Sequence, residues 1–278
     1  MPEGLARASY EDLVRRALAE DLGPGDVTSM SIVPADRVAD GTFLAKSQLV
    51  VSGLALVSEV FAQIDAAVVF EPDCADGAVC QPGQRIGRVR GPARALLAGE
   101  RTALNLLQHL SGIATLTRQF VDAARPLVVL DTRKTLPAMR ALAKYAVRCG
   151  GGRNHRFGLF DAVLIKDNHI RVAGSIGAAV SLVRNAGVPG PIEVETQDLA
   201  QVDEAVASGV DIIMLDNMDD AMTAEAVARI AGRAKVELSG NMTLDRVRAL
   251  SGVGATYVSV GVLTHSAPAA DVSLEIAI

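Results

Sequence analysis

The sequence predicts an α/β protein, an incomplete (β/α) barrel carrying an N-terminal α+β, sandwich-like domain. Three observations lead there. From about residue 127, short β-branched runs alternate with amphipathic stretches, the pattern of parallel strands joined by right-handed helical crossovers. Every run ends in polar residues, which a barrel gathers at one mouth, whereas an open sheet uses only the strand ends beside its switch point. Residues 1–95 follow a different pattern of short strands and turns. Six strands are visible where a full barrel has eight, so the barrel is expected to be small or irregular.

In the first region the strands are Phe43–Lys46, Leu49–Val51, Val68–Glu71 and Ile86–Arg90, separated by turns such as Gln81-Pro82-Gly83, with one helix at Leu54–Ile64. Leu96–Ala124 forms a long helix: Ala103, Leu107, Leu110, Ala114, Thr117 and Val121 recur at spacings of four and three, and Gly99 and Gly112 are its expected breaks. The barrel strands are Leu127–Leu130, Ala162–Ile165, Ile192–Val194, Val210–Leu215, Lys235–Leu238 and Tyr257–Val260. Helices at Ser175–Ala186, Asp198–Ser208, Ala221–Ala231 and Thr243–Ser251 each precede a glycine suited to the left-handed C′ position. The domains are expected at 1–111 and 112–267, with a tail at 268–278 packing back on the first.

The 278 residues suffice for two domains or a barrel with an appendage. A net charge of −5 argues against coating nucleic acid or an anionic membrane. Three Tyr, six Phe and no Trp make a base-stacking platform unpromising. Three cysteines without framework spacing, no signal peptide and no spanning segment lead to a cytoplasmic expectation. Within this acidic chain, Thr132–Phe160 holds Arg133, Lys134, Arg140, Lys144, Arg148, Arg153 and Arg156 without one carboxylate. A small anion is expected there.

Arg133 and Lys134 directly follow a strand, which places two cations at the barrel mouth. Thr135 can cap a helix whose first turn tolerates Pro137. On that helix Arg140, Lys144 and Arg148 share a face, which solvation alone explains equally well. Gly150-Gly151-Gly152 lets a backbone approach a ligand or simply ends the helix, while the following Arg153, His155 and Arg156 can bind oxyanions. Lys166 caps an apolar run as an anion ligand, a Schiff-base nucleophile or a snorkelling strand end. Glu195 and Asp216 suit ribose hydroxyls, hydrated Mg²⁺ or acid–base work. Amides at Ser239, Gly240 and Asn241 and at Val260, Gly261 and Val262 fit a phosphate site. Cys149 reads as a small buried residue, and the histidines show no metal-ligand spacing with the cysteines.

Longer motifs carry a resemblance. Glu100-Arg101-Thr102-Ala103-Leu104-Asn105, His109-Leu110-Ser111-Gly112, Asp131-Thr132-Arg133-Lys134-Thr135, Asn154-His155-Arg156, Ile165-Lys166-Asp167-Asn168-His169 and Leu215-Asp216-Asn217 run in the order found in the quinolinate phosphoribosyltransferase family, and the chain resembles it over nearly its whole length. The resemblance implies a type II phosphoribosyltransferase fold and a pentosyltransferase of NAD biosynthesis. Quinolinate and phosphoribosyl pyrophosphate, with Mg²⁺, would give nicotinate mononucleotide, pyrophosphate and CO₂. It implies a homodimer in which Arg101 reaches quinolinate across the interface. Thr132, Arg133, Lys134, His155, Arg156 and Lys166 would line the dianion pocket, with Lys134, Glu195 and Asp216 as catalytic groups. Mg²⁺ would have no direct protein ligand, being held by substrate and through water to Glu195 and Asp216. The chain departs from the family pattern at Asn241, where a second glycine is common, and at Arg153, where a small or apolar residue is usual. The alternatives are a ligand-binding relative associated with molybdate transport and a Schiff-base aldolase built on Lys166.

Overall fold

The structure is a computed structural model and describes residues 4–277. In chain order its elements begin with α1 (Glu11–Leu22), α2 (Val27–Ile32), β1 (Val38–Ala45), β2 (Leu49–Val50), α3 (Leu54–Ile64), β3 (Val69–Pro72), β4 (Val79–Cys80), β5 (Arg85–Pro92) and α4 (Ala93–Ala124). Then come β6 (Val128–Leu130), α5 (Arg140–Gly150), β7 (Val163–Ile165), α6 (Asp167–Ala173), α7 (Ile176–Asn185), β8 (Ile192–Thr196) and α8 (Leu199–Ala207). The chain closes with β9 (Ile212–Asp216), α9 (Asp220–Ile230), β10 (Lys235–Ser239), α10 (Leu244–Leu250), β11 (Tyr257–Ser259), α11 (Val262–His265) and β12 (Val272–Ala277). Two compact units result. One holds the chain up to Arg118, Thr135–Gly151 and the chain from Leu263; the other holds Gln119–Lys134 and Gly152–Val262.

The first unit is built on an antiparallel sheet of order β12-β1-β5-β3. β1 turns alternate residues inward, as a half-buried strand must. Its Phe43 meets Phe61 of α3 and Phe70 of β3 edge-on, at centroid distances of 6.4 and 5.6 Å. The final strand pairs with the first, Ala45 opposite Val272 and Asp40 opposite Ala277.

Two expectations fail in this unit. Helix α4 runs unbroken through Gly99 and Gly112 for 32 residues. Both glycines are places of close packing: a Cβ at Gly99 would lie 2.8 Å from Phe61, and one at Gly112 would lie 2.0 Å from the Pro268 carbonyl. Helix α5 starts at Arg140, not at Thr135. Ala138 adopts a φ of 63°, which interrupts any helical turn begun at Thr135, and the Thr135 hydroxyl instead accepts from Arg140 Nε at 3.2 Å. Nor is the α5 face solvated throughout, because Lys144 is 2% exposed.

The second unit is a six-stranded parallel sheet of order β6-β11-β10-β9-β8-β7. Ser175, Asp198, Asp219 and Thr243 cap helices α7 to α10 through side-chain oxygens, each worth about 1 kcal/mol. Gly187, Gly209 and Gly232 take the left-handed conformation expected after the first three helices. After α10 it is Gly254, not Gly252, that does so.

Strand periodicity sorts the residues of this sheet. Val129, Ile165, Val194, Ile213, Leu215, Val236, Leu238 and Val258 are all buried and form one apolar face. The alternate positions carry Glu193, Glu195, Asp216, Glu237, Ser239 and Ser259, an unusual load for a barrel interior. Residues at the C-terminal ends of all six strands line one cavity. In a flat sheet the outer strands, five spacings of about 4.8 Å apart, would be too distant to share it. The sheet therefore curls, while β6 and β7 remain unpaired with each other. This is the incomplete barrel.

Candidate active site

The cavity at this mouth has a volume of about 500 Å³. Strand order divides its rim into three sectors. Around the gap between β6 and β7 stand four cations: Arg133 and Lys134 after β6, Arg156 from the following loop, and Lys166 after β7. Glu195 and Asp216 follow on β8 and β9. Ser239, Gly240 and Asn241 after β10 supply an uncharged third sector, with Ser259 of β11 beside them.

The cationic sector is held by the sheet edge itself. Arg153 N–H donates to the Val129 carbonyl at 2.8 Å, and Asp131 N–H donates to the Arg153 carbonyl at 3.2 Å. Fully buried Asp131 accepts from the His155 peptide at 3.0 Å and from Asn154 Nδ2 at 2.6 Å. The loop carrying His155 and Arg156 is thereby stitched to β6. Thr132 Oγ1 accepts from the Lys134 peptide at 3.1 Å and closes the turn that presents Arg133 and Lys134. Burial first, and then repulsion from Arg133, pull the Arg156 guanidinium below its usual value, against the opposite pull of Glu193, Asp161 and Glu195. Two guanidiniums crowded in this way are relieved by an anion.

Lys166 Nζ donates to Glu195 Oε2 in an ion pair whose lysine side chain is 42% exposed. A Schiff-base nucleophile needs a dry, unpaired lysine, so the anion-ligand reading fits better. Asp216 Oδ2 accepts from Asn217 Nδ2 at 2.8 Å, and Asn217 Oδ1 accepts from Asn241 Nδ2 at 3.2 Å. Gly240 is required in that loop: its φ is 88°, and a Cβ would lie 2.2 Å from Asn217 Oδ1. Asn241 has a φ of 47°, a conformation that asparagine tolerates better than most residues, so it can replace the glycine common in the family. Arg246 braces the same loop through the carbonyls of Gly240, at 3.0 Å, and Met218.

Of the sequence candidates, the structure brings together Thr132, Arg133, Lys134, His155, Arg156, Lys166, Glu195, Asp216, Ser239, Gly240 and Asn241. It does not bring in Val260, Gly261 or Val262. Val260 is buried with its N–H on the Leu130 carbonyl, and α11 begins at Val262. Arg101 is exposed on α4 and does not line the cavity. The glycine run also lies outside the lining. A Cβ at Gly150 would meet the Ala114 carbonyl at 2.5 Å, and Gly151 ends α5 with a φ of 95°. Arg153 is exposed and not in the lining, so its departure from the family pattern leaves the cavity's own side chains unchanged. Burial pushes the Cys149 thiol up, as suits an inert core residue.

Sequence reasoning missed Glu193, Glu237, Arg246 and Ser259, and named Asn217 only within the motif Leu215-Asp216-Asn217, without a role. His155 Nδ1 accepts the Arg156 peptide N–H at 2.8 Å, which leaves Nε2–H to donate to Glu193 Oε2 at 3.0 Å. Both ring nitrogens are thus engaged by the protein. Glu237, 1% exposed, takes a hydrogen bond from Ser259 Oγ, and burial followed by the nearby Glu193 pushes its carboxyl up to about 8. The available signal was a carboxylate inside an otherwise apolar parallel strand, as in Val236-Glu237-Leu238.

Comparison with known proteins follows the same geometry. Profiles of the quinolinate phosphoribosyl transferase N-terminal and C-terminal domains match residues 26–111 and 113–275. The chain is similar to a chloroplastic nicotinate-nucleotide pyrophosphorylase (carboxylating) of Oryza sativa, 43% identical over 95% of this chain and 76% of the relative. Its fold is similar to that of NadC from Streptococcus pyogenes, with a TM-score of 0.94 and 41% identity over 99% of this chain and 98% of the other. The nicotinate-nucleotide pyrophosphorylase of Francisella tularensis also has a TM-score of 0.94, at 36% identity over 99% and 98% of the two chains.

Proposed function

The chain belongs to the quinolinate phosphoribosyltransferase family, and from that premise we propose that the cavity is where its reaction takes place. The reaction is phosphoribosyl transfer to quinolinate with decarboxylation, yielding nicotinate mononucleotide, pyrophosphate and CO₂ in NAD biosynthesis. The observation that carries the assignment of the site is the crowding of Arg133, Lys134, Arg156 and Lys166 around the strand gap, facing two carboxylates and an uncharged loop. Quinolinate is a dianion suited to the first sector. The ribose suits Glu195 and Asp216, and the 5′-phosphate suits the loop at Ser239, Gly240 and Asn241.

In this arrangement the four cations hold the pyridine so that its ring nitrogen faces ribose C1. The nitrogen attacks as the bond from C1 to pyrophosphate breaks. Glu195 and Asp216 face the positive charge that develops on the ribose, and Lys134 faces the negative charge that leaves. The 2-carboxylate then departs as CO₂, its bonding electrons drawn toward the cationic ring nitrogen, and the ring carbon takes up a proton.

The residues fit Mg²⁺ as an ion carried by substrate. Glu195 is paired with Lys166 and Asp216 with Asn217, and among the described residues the close grouping of His155, Glu193 and Glu237 lies buried beneath the rim, apart from that pair. Glu195 and Asp216 would meet the ion through its water, and when bound it neutralises pyrophosphate as a leaving group.

We further propose a homodimer with shared sites. The outer edge of β7, which has no partner strand among the described residues, lies beside an apolar hollow of about 770 Å³. Leu159, Phe160, Val172 and Leu182 line it at 73, 83, 90 and 62% exposure. A surface of that kind calls for cover, and exposed Arg101 would enter the partner's site. The cytoplasmic reading rests on three free cysteines, and no helix among the described residues is long and apolar enough to cross a membrane.

Nicotinate mononucleotide formation tests both proposals. Wild-type protein turns over, whereas tight quinolinate binding without product would leave only the binding-protein reading. Arg101→Ala and Lys166→Ala proteins are each nearly inactive, and mixing them restores about a quarter of wild-type activity through mixed dimers. No recovery after verified subunit exchange sinks the shared site.

A further inference from the structure

Beneath the cations Glu237, which lines the cavity, lies beside Glu193, and the mechanism above leaves both acids idle. The side chains of Glu193 on β8 and Glu237 on β10 are 6% and 1% exposed, and an oxygen of each lies within 4.8 Å of the other and of His155 Nε2. Two ionised carboxylates enclosed so closely require a cation or a proton between them.

The Arg156 peptide N–H argues against the imidazole as that cation. Nδ1 accepts the Arg156 peptide N–H and so carries no proton, which makes the ring the neutral Nε2–H tautomer. The same bond disfavours a metal. To offer Nε2 as a ligand, the ring would move its proton to Nδ1, against the Arg156 N–H. Two further contacts leave room for one proton on the acids. Ser259 donates to Glu237 Oε1, whereas buried Glu193 Oε1 has no hydrogen-bond partner.

We propose that Glu237 is kept as a neutral carboxylic acid, sharing a single proton with Glu193, and acts as a positioning residue for the quinolinate site. Through Glu193 it fixes the ring of His155, and the ring holds the peptide of Arg156, a cation of the rim. Its neutrality also keeps a second negative charge from lying under a dianion. Glu237 faces Glu193 from β8, Met214 from β9, Ser259 from β11 and His155 from the loop, while Arg156 is the cation that Glu193 attracts. The upward displacement of its titration has the matching sign.

This inference rests on the cavity being the quinolinate site, and its tests keep the two ideas separate. With saturating phosphoribosyl pyrophosphate and Mg²⁺, the wild-type KM for quinolinate should rise about tenfold between about pH 7 and 9.5, as the floor acquires its second charge. Glu237→Gln, which keeps a neutral donor, should abolish most of that rise. The same rise in the variant, or a flat wild-type profile, overturns the proposal.

A substrate-free readout covers the case where the variant folds poorly. Wild-type protein should show the infrared carbonyl stretch of a protonated carboxylic acid at neutral pH, lost on titration to alkaline pH. Absence of that band overturns the proposal even if the enzyme turns over, whereas a band without turnover questions the site and not the acid pair. Thermal stability should follow the same titration. A carboxyl raised on folding contributes stability below its unfolded value of about 4.3 that is lost as pH climbs through its folded value. Wild-type Tm should therefore fall relative to that of Glu237→Gln over this window, and parallel curves count against the shared proton.

Discussion

The basic residues between 132 and 160 divide into two groups with different fates. Arg133, Lys134 and Arg156 stand on loops at strand ends and line the cavity with Lys166. Arg140, Lys144 and Arg148 stand on α5 and belong to the other compact unit. There Lys144 is buried, Arg140 reaches Thr135, and Arg148 lies over the ring of Tyr145 at 5.6 Å. The Tyr145 hydroxyl in turn donates to Asp76 Oδ2 at 2.7 Å, and Asp76 Oδ1 receives the peptide N–H groups of Gly53 and Leu54 at the start of α3. Equal charge thus serves ligand binding at a strand end and internal cohesion on a helix. What separates the two groups is the element that carries them, not the density of charge along the chain.

Substitutions can break that distinction. The largest effect is expected at Lys166: Lys166→Ala removes a charge-assisted contact and leaves Glu195 unpaired, lowering kcat/KM for quinolinate about a hundredfold with little change in Tm. Lys144→Met should do the reverse. It keeps the buried volume but loses the ammonium's partner, at about 2 kcal/mol and about 5 °C in Tm, with the quinolinate KM unchanged. If Lys144→Met instead raises KM as Lys166→Ala does, α5 belongs to the binding group and the distinction falls. Arg153, exposed and outside the cavity lining, is the smallest case: Arg153→Ala should alter stability by no more than about 0.5 kcal/mol and kinetics by less than about threefold.

The legible part of the site was the part that punctuates strands. Thr132, Lys166, Glu195, Asp216 and Ser239 close or follow apolar runs, so a barrel reading places them at one mouth. Glu193 and Glu237 lie inside strands, where the eye reads through a single carboxylate to the apolar run around it. Their spacing of two residues from Glu195 and Ser239 already put them on the inward face. The failures elsewhere have a common cause. Thr135 has the residue type of a cap, and Gly99, Gly112 and Gly150 have the type of breaks or ligand-binding turns. Each is decided by a distant neighbour or by the backbone at Ala138, which local pattern does not report.

The pairing of β12 with β1 has a consequence for synthesis. During translation β1 acquires β5 within about fifty residues, but its other edge waits for the last strand of the chain, after the whole parallel sheet has been made. Until β12 has been made, that edge is an open ladder beside Phe43 and Ala45, of the kind that recruits foreign strands. A chain that lacks β12, nascent or clipped, is therefore most exposed to misassociation in the unit it began first, where that edge stays uncovered.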